Sequence, residues 1–198
     1  MATDIKKVIE NLQAFHDFTD RVVLAVGAGG GQFVEYGRRA RGVIAVDQDL
    51  AALEKLRESI ATAGLADKFK IVHSDFLSTA PKADVVLFEF CLHEMPDPAE
   101  AIRHAKTCAP EVVIMDHAPG SDWSYLAAED EKVANLWSGF PMSLFRKVQT
   151  YAAVQYFSDY EALFQKVKGQ GKVSLARIKG YQTERNIEIP MKYRFALI

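Results

Sequence analysis

Cysteine is scarce in this chain. Cys91 and Cys108 are the only two in 198 residues, and their spacing frames neither a zinc site, a redox pair nor a disulfide scaffold. A reducing compartment fits that usage. A basic excess is also lacking: 24 Lys and Arg stand against 26 Asp and Glu, for a formal net charge of −2. A general affinity for phosphate backbones would need the opposite balance, so no nucleic-acid partner is expected. The densest basic run, Arg38-Arg39-Ala40-Arg41, reads as a solvated turn. No stretch approaches the roughly 18–20 apolar residues of a membrane span. No apolar signal core follows Met1-Ala2-Thr3-Asp4-Ile5-Lys6-Lys7. A cytoplasmic protein with no membrane contact is the expectation.

What is present is ordinary globular composition, 49% apolar and 25% charged, without internal repeats or low-complexity linkers. The length suits one domain, expected to span residues 1–198. Ile5, Val8, Ile9, Leu12 and Phe15 recur at helical spacing behind Thr3 and Asp4 as caps, which predicts an N-terminal helix within residues 1–18. Short apolar runs then begin: Arg21–Val26, Val43–Val46, Lys70–Val72, Val85–Phe88 and Val112–Met115. Helical segments lie between them. Asp49 caps one that Gly64 ends, and Pro96-Asp97-Pro98 opens another with Ala101, Ile102 and Ala105 inward. The connection from Phe76 to Ala83 has room only for a turn or a brief helix. Strand and helix in alternation imply a parallel sheet covered on both faces.

Past Met115 the rhythm changes. Residues 117–157 are aromatic, read as helical pieces, and are expected to form a lid over a substrate. Ser158 and Glu161 make a capping box for a helix carrying Leu163, Phe164 and Val167. Lys172–Ile178 and Met191–Leu197 then read as two closing strands.

Three successive strand ends carry the chemistry. Val22–Val26 runs into Gly27-Ala28-Gly29-Gly30-Gly31, with a helix expected behind it; the missing Cβ atoms let backbone N–H groups approach a ligand. Asp47 follows twenty residues after Gly27, where a carboxylate accepts hydrogen bonds from a ribose diol. His73-Ser74-Asp75-Phe76 adds an acid and an aromatic to the same sheet edge. Singly, each feature is also a tight turn, a helix cap or a solvated acid; jointly and in order they point to a bound nucleoside.

From Arg21 to about Gly120 the chain resembles the class I S-adenosylmethionine (SAM)-dependent methyltransferases. The resemblance rests on Gly27, Gly29, Gly31, Asp47, Asp75-Phe76 and Leu92-His93-Glu94-Met95-Pro96. That last run is similar to one in small-molecule methyltransferases of the ubiquinone-biosynthesis type. The resemblance implies a doubly wound, Rossmann-like α/β fold: a seven-stranded sheet of five parallel strands plus a C-terminal pair, the last strand antiparallel. It implies SAM as cofactor and S-adenosylhomocysteine as product. It further implies that the glycine loop, Gly27, Ala28, Gly29 and Gly31, faces the methionine part of SAM. Asp47 would hold the ribose, Gln48 would lie against adenine, Asp75 would accept from the adenine amino group, and the Phe76 amide would serve a ring nitrogen. Glu89 and Phe90 would line the methionine end. One departure is Ala25, where the family usually has an acid that organises the loop and the cofactor's amino group.

Two other readings compete. A nicotinamide dehydrogenase would need glycine where Gln32 stands, and none of the seven tyrosines has a lysine four residues on. A non-catalytic SAM-binding or scaffolding protein of the same fold is the second. If the chain is an enzyme, in-line transfer to a small-molecule acceptor needs alignment above all, and His93 is the candidate base or substrate contact. Glu94, Asp116 and His117 are weaker candidates. Asp116 and Asp122 lie six apart with no third ligand in view, so no metal is expected. Glu89-Phe90-Cys91-Leu92 stands where nucleic-acid amine methyltransferases carry an Asn/Asp-Pro-Pro-aromatic run. Two cysteines do not make a multi-thiol arsenite site. Arg146 and Lys147 are available for an acidic group on the acceptor.

Overall fold

A computed structural model describes residues 4–198. Helix α1 (Ile5–Phe15) starts on Asp4, whose side chain accepts from the Lys7 N–H. Thr3, the other expected cap, lies outside the described residues. Val8, Ile9, Leu12 and Phe15 are buried, each contributing about 1.5–3 kcal/mol of apolar burial.

The chain then lays down β1 (Val22–Val26), β2 (Gly42–Asp47), α2 (Leu50–Thr62), β3 (Phe69–His73), β4 (Val85–Glu89), α3 (Pro98–Cys108) and β5 (Glu111–His117). Every expected parallel strand is present within a residue or two of its apolar run. Asp49 caps α2 and Asp97 caps α3, each by a side-chain bond to helix N–H groups. The Phe76–Ala83 connection holds only a 3-10 turn, Phe76–Ser78.

Behind the glycine loop the expected α-helix is missing. Residues Val34–Arg38 form a 3-10 helix instead. Gly37, Arg38 and Arg39 leave too short an apolar stripe for a longer one, and Tyr36 is drawn fully into the core.

The C-terminal part departs further. After α4 (Asp122–Leu126) and α5 (Asp130–Ser138), Lys147–Asp159 is a strand, β6. It is followed by α6 (Tyr160–Val167), α7 (Lys172–Arg177) and β7 (Arg185–Leu197). The strand expected at Lys172–Ile178 is therefore a helix, and the sixth strand lies in what was expected to be lid. Val148, Thr150, Tyr151, Val154, Tyr156 and Phe157 give β6 the β-branched and aromatic content a strand favours. The V-x-L-x-R alternation in α7 is misleading. Val173 is exposed, whereas Ser174 and Ile178, one helical turn apart, are buried. The cap of α6 is Asp159, accepting from the Ala162 N–H, one residue beyond the expected Ser158.

The seven strands form one sheet in the order β3-β2-β1-β4-β5-β7-β6. The first five run parallel, and β7 is antiparallel to both β5 and β6. Side chains alternate between two core layers. Val23, Ala25, Val85 and Leu87 face α1, α2 and α6; Leu24, Val26, Val86 and Phe88 face α3 and α5. The strand order reverses between β1 and β4, and a crevice opens at their C-terminal ends.

Candidate active site

A cavity of about 730 Å³ occupies that crevice. Its floor is the glycine loop. Gly27 has φ +71°, and a Cβ there would lie 2.4 Å from the Cβ of Cys91. At Gly29 a Cβ would meet the Asp47 carboxylate at 2.7 Å. That space is used: Asp47 accepts from the Gly29 N–H at 2.9 Å and from the Asp49 N–H at 2.9 Å. One carboxylate at the end of β2 thereby ties the loop to the start of α2.

Gly27, Gly29, Asp47, Gln48, Asp75, Phe76, Glu89, Phe90 and His93 all line the cavity. Two expected members do not. Ala28 is buried beneath the loop, and Gly31 turns onto α2, where a Cβ would meet Ser59 at 2.7 Å. Phe76 contributes chiefly its backbone, because its ring is buried edge-on to Phe88 and His104. Asp75 caps its own 3-10 turn by accepting from the Leu77 N–H.

Glu89 is buried at the end of β4. In the β1–β4 register Ala25 pairs with Leu87, so Glu89, two residues further along β4, lies on the same sheet face. The hydroxyl of Tyr36 donates to Glu89 Oε1 at 2.7 Å. Burial pushes the Glu89 carboxyl up to about 7, opposed by the Tyr36 hydrogen bond and helped by nearby Asp47. The next residue, Phe90, holds a left-handed φ of +51°. Its ring stacks on Phe33 with centroids 5.5 Å apart and lies 4.8 Å from the His117 ring.

Past the ends of β4 and β5, titratable groups gather along the cavity. Asp116 is fully buried and accepts from the His93 N–H (3.1 Å), the His117 N–H (2.7 Å) and, at 2.6 Å, Nδ1 of the His93 ring. His93 Nε2 is buried and has no hydrogen-bond partner. It lies 3.4 Å from Glu94 Oε1 and 3.7 Å from Glu129 Oε2. Burial alone would lower the His93 pKa; the Asp116 bond and charge, with Glu129 and Glu94, outweigh it and hold it above the usual value. His117 is pushed down to about 4, mainly by burial. Burial also raises Glu129, which begins α5 behind Ala128 at φ +60°.

Other expectations fail here. Arg146 pairs with Glu111 and the Ile198 carbonyl, while Lys147 donates to the Phe15 carbonyl, so both are spent on the packing of β6. Lys166 of α6 lines the cavity in their place, with Gln155 and Trp123. Asp122 is the first residue of α4 behind the cap Ser121 and does not join Asp116. Glu129, Tyr36 and Lys166 had no sequence signal, since each reaches the site only through a fold contact distant in the chain.

A glycine loop, an acid at the second strand end and an acid at the third, around one crevice at the topological switch point, define a nucleoside-cofactor enzyme of the doubly wound class. Residues 1–166 match the family described as methyltransferase domain, and the chain belongs to that family. That membership sets the dehydrogenase reading aside. No curated protein matches the sequence. Among solved structures the chain is similar to a candidate methyltransferase from Bacillus halodurans C-125, with TM-score 0.67 and 16% identity over 98% of this chain and 97% of that one. It is similar to the YcgJ protein of Bacillus subtilis, with TM-score 0.64 and 13% identity over 98% and 95%. A SAM-dependent methyltransferase from Thiobacillus denitrificans, solved with S-adenosyl-L-homocysteine, gives TM-score 0.62 and 15% identity over 97% and 90%. At these identities the likeness is one of fold. Among the described residues no helix is long and apolar enough to cross a membrane.

Proposed function

We propose that the chain transfers the SAM methyl group to a small organic acceptor whose nucleophile lies beside His93. The observation that carries this reading is the His93–Asp116 pair. A buried carboxylate holds Nδ1 at 2.6 Å and leaves Nε2 without a partner at the cavity wall. This is the arrangement of an oriented imidazole base. Asp47 takes the ribose diol, with Gln48, Asp75 and the Phe76 backbone around the adenine. Gly27, Gly29, Glu89 and Phe90 hold the methionine portion.

Glu89 answers the absence of an acid at Ala25. It stands on the same sheet face and is held by Tyr36, which suits it to receive the cofactor's α-ammonium group. The sulfonium makes the methyl carbon electrophilic, so the protein's task is alignment and exclusion of water. An acceptor hydroxyl, phenol or acidic carbon gives its proton to His93 Nε2 as its lone pair attacks the methyl carbon. The S–C bond breaks, and its electrons remain on sulfur as S-adenosylhomocysteine. The size of the cavity, about 730 Å³, and the absence of a basic excess favour a small acceptor over nucleic acid.

Titration of the purified protein with SAM and S-adenosylhomocysteine, followed by an acceptor screen for S-adenosylhomocysteine release, tests this. Micromolar binding and turnover that falls in His93→Gln are expected. Binding without turnover on any small acceptor would favour the non-catalytic alternative, and no binding would overturn the cofactor site.

A further inference from the structure

The acceptor end of the cavity holds more ligand chemistry than a base requires. One oxygen or nitrogen each from His93, Glu94 and Glu129 lie within 4.8 Å of one another. His93 Nε2 is 3.4 Å from Glu94 Oε1 and 3.7 Å from Glu129 Oε2. Neither contact forms a hydrogen bond, and the His93 side chain is 2% exposed. The His93–Glu94 separation equals the edge of a ligand polyhedron, and the His93–Glu129 separation is slightly longer. Imidazole nitrogen and carboxylate oxygen at about 2.0–2.2 Å from one tetrahedral ion lie roughly 3.3–3.6 Å apart.

We propose that His93, Glu94 and Glu129 form a site for a divalent first-row transition-metal ion beside the methyl acceptor. The surroundings are those of a ligand set. Asp116 holds Nδ1 of His93, the outer carboxylate that fixes the tautomer of a ligating histidine. Lys132 binds the other oxygen of Glu94, leaving Oε1 toward His93. His117 stands next in line, its Nε2 3.8 Å from the same Glu129 oxygen, as a fourth donor. Mixed imidazole and carboxylate donors suit Zn²⁺, Mn²⁺ or Co²⁺ better than Mg²⁺ or Ca²⁺, which prefer oxygen alone. The expectation of no metal considered Asp116 with Asp122; the fold assembles a different set.

This inference rests on the acceptor lying beside His93 and changes how its proton is lost. When bound by His93, Glu94 and Glu129, the ion would supply Lewis acidity that lowers the pKa of an acceptor hydroxyl, so that its proton would leave to solvent rather than to His93. The oxygen lone pair would then form the O–C bond as S–C breaks, its electrons remaining on sulfur.

The test uses tag-free, chelator-stripped full-length protein titrated with Co²⁺, Zn²⁺ and Mg²⁺, with S-adenosylhomocysteine titrated in parallel. One equivalent of Co²⁺ with d–d absorption, displaced by Zn²⁺ and not by Mg²⁺, is expected. Affinity should drop at least 10-fold in Glu129→Gln and in Glu94→Gln, while S-adenosylhomocysteine binding in both shows that they fold. Protein that binds S-adenosylhomocysteine but no stoichiometric transition metal, or binds it equally well in both variants, overturns the site. Protein that binds the metal but not S-adenosylhomocysteine upholds it and overturns the cofactor reading instead.

Discussion

Nδ1 of His93 meets Oδ1 of Asp116 at 2.6 Å, and Asp116 has no exposed surface. The carboxylate also takes two backbone N–H groups, so it fixes the ring and the loop after β4 together. Asp116→Asn keeps the volume but offers an amide to Nδ1. Turnover is expected to fall by about 100-fold or more, with S-adenosylhomocysteine affinity nearly unchanged. Asp116→Ala should in addition lose about 2 kcal/mol or more in denaturant unfolding, because buried donors are left unpaired. A variant with full activity would remove the dyad from the mechanism.

Asp47 ties the glycine loop to the start of α2 and, in the proposed site, also holds the ribose. Asp47→Ala removes the acceptor for Gly29 and Asp49 and the proposed partner of the diol. Cofactor affinity should fall by roughly 10–100-fold in calorimetric titration, the worth of one or two hydrogen bonds to a charged group.

The raised Glu89 carboxyl predicts a pH-dependent stability. The folded chain holds this proton up to about 7, whereas a free glutamate releases it near 4.5. Folding is therefore favoured below that window, and stability of the cofactor-free protein declines as pH rises through it, by at most ~3 kcal/mol. Melting temperatures across pH should show the decline in the natural chain and not in Glu89→Gln. Tyr36→Phe, which removes a bond to the charged form, should move the window upward. A cofactor ammonium group beside Glu89 favours its ionised form, so titration near pH 7 should release protons to buffer, and less in Glu89→Gln.

Gly27 allows the loop to pass beneath Cys91. Gly27→Ala adds a Cβ at 2.4 Å from the Cys91 Cβ, at φ +71°. A loss of about 2–4 kcal/mol is expected from the clash and the backbone together. In a Cys91→Gly background the penalty should shrink to the backbone part, about 1–2 kcal/mol. An unchanged penalty would mean that the crowding lies elsewhere.

Much of the fold was legible because each element states its own period. The five parallel strands are apolar runs of strand length, and Asp49, Asp97 and Gly64 punctuate α2 and α3 with local cap chemistry. The gathering of Gly27, Gly29, Asp47 and Asp75 around one cavity was legible for the same reason: they sit at or just after strand ends, where one topology brings them together. β6 was not legible. As an edge strand with much of its length exposed, its aromatic residues alternate weakly and read as helical pieces. The short helix α7 imitates a strand over six residues, too few for the two periods to separate.

By itself the sequence determined the five parallel strands and set Gly27, Asp47 and Asp75 at or just after their ends, because those follow from local periodicity and turn chemistry. Only tertiary structure decided what surrounds His93. Asp116 is 23 residues from it in the chain, Glu129 stands just before α5, and Tyr36 reaches Glu89 across 53 residues. Such contacts depend on how β5, α5 and the Val34–Arg38 turn pack onto the sheet. No spacing along the chain encodes them, because packing geometry rather than sequence separation sets the distance between two side chains.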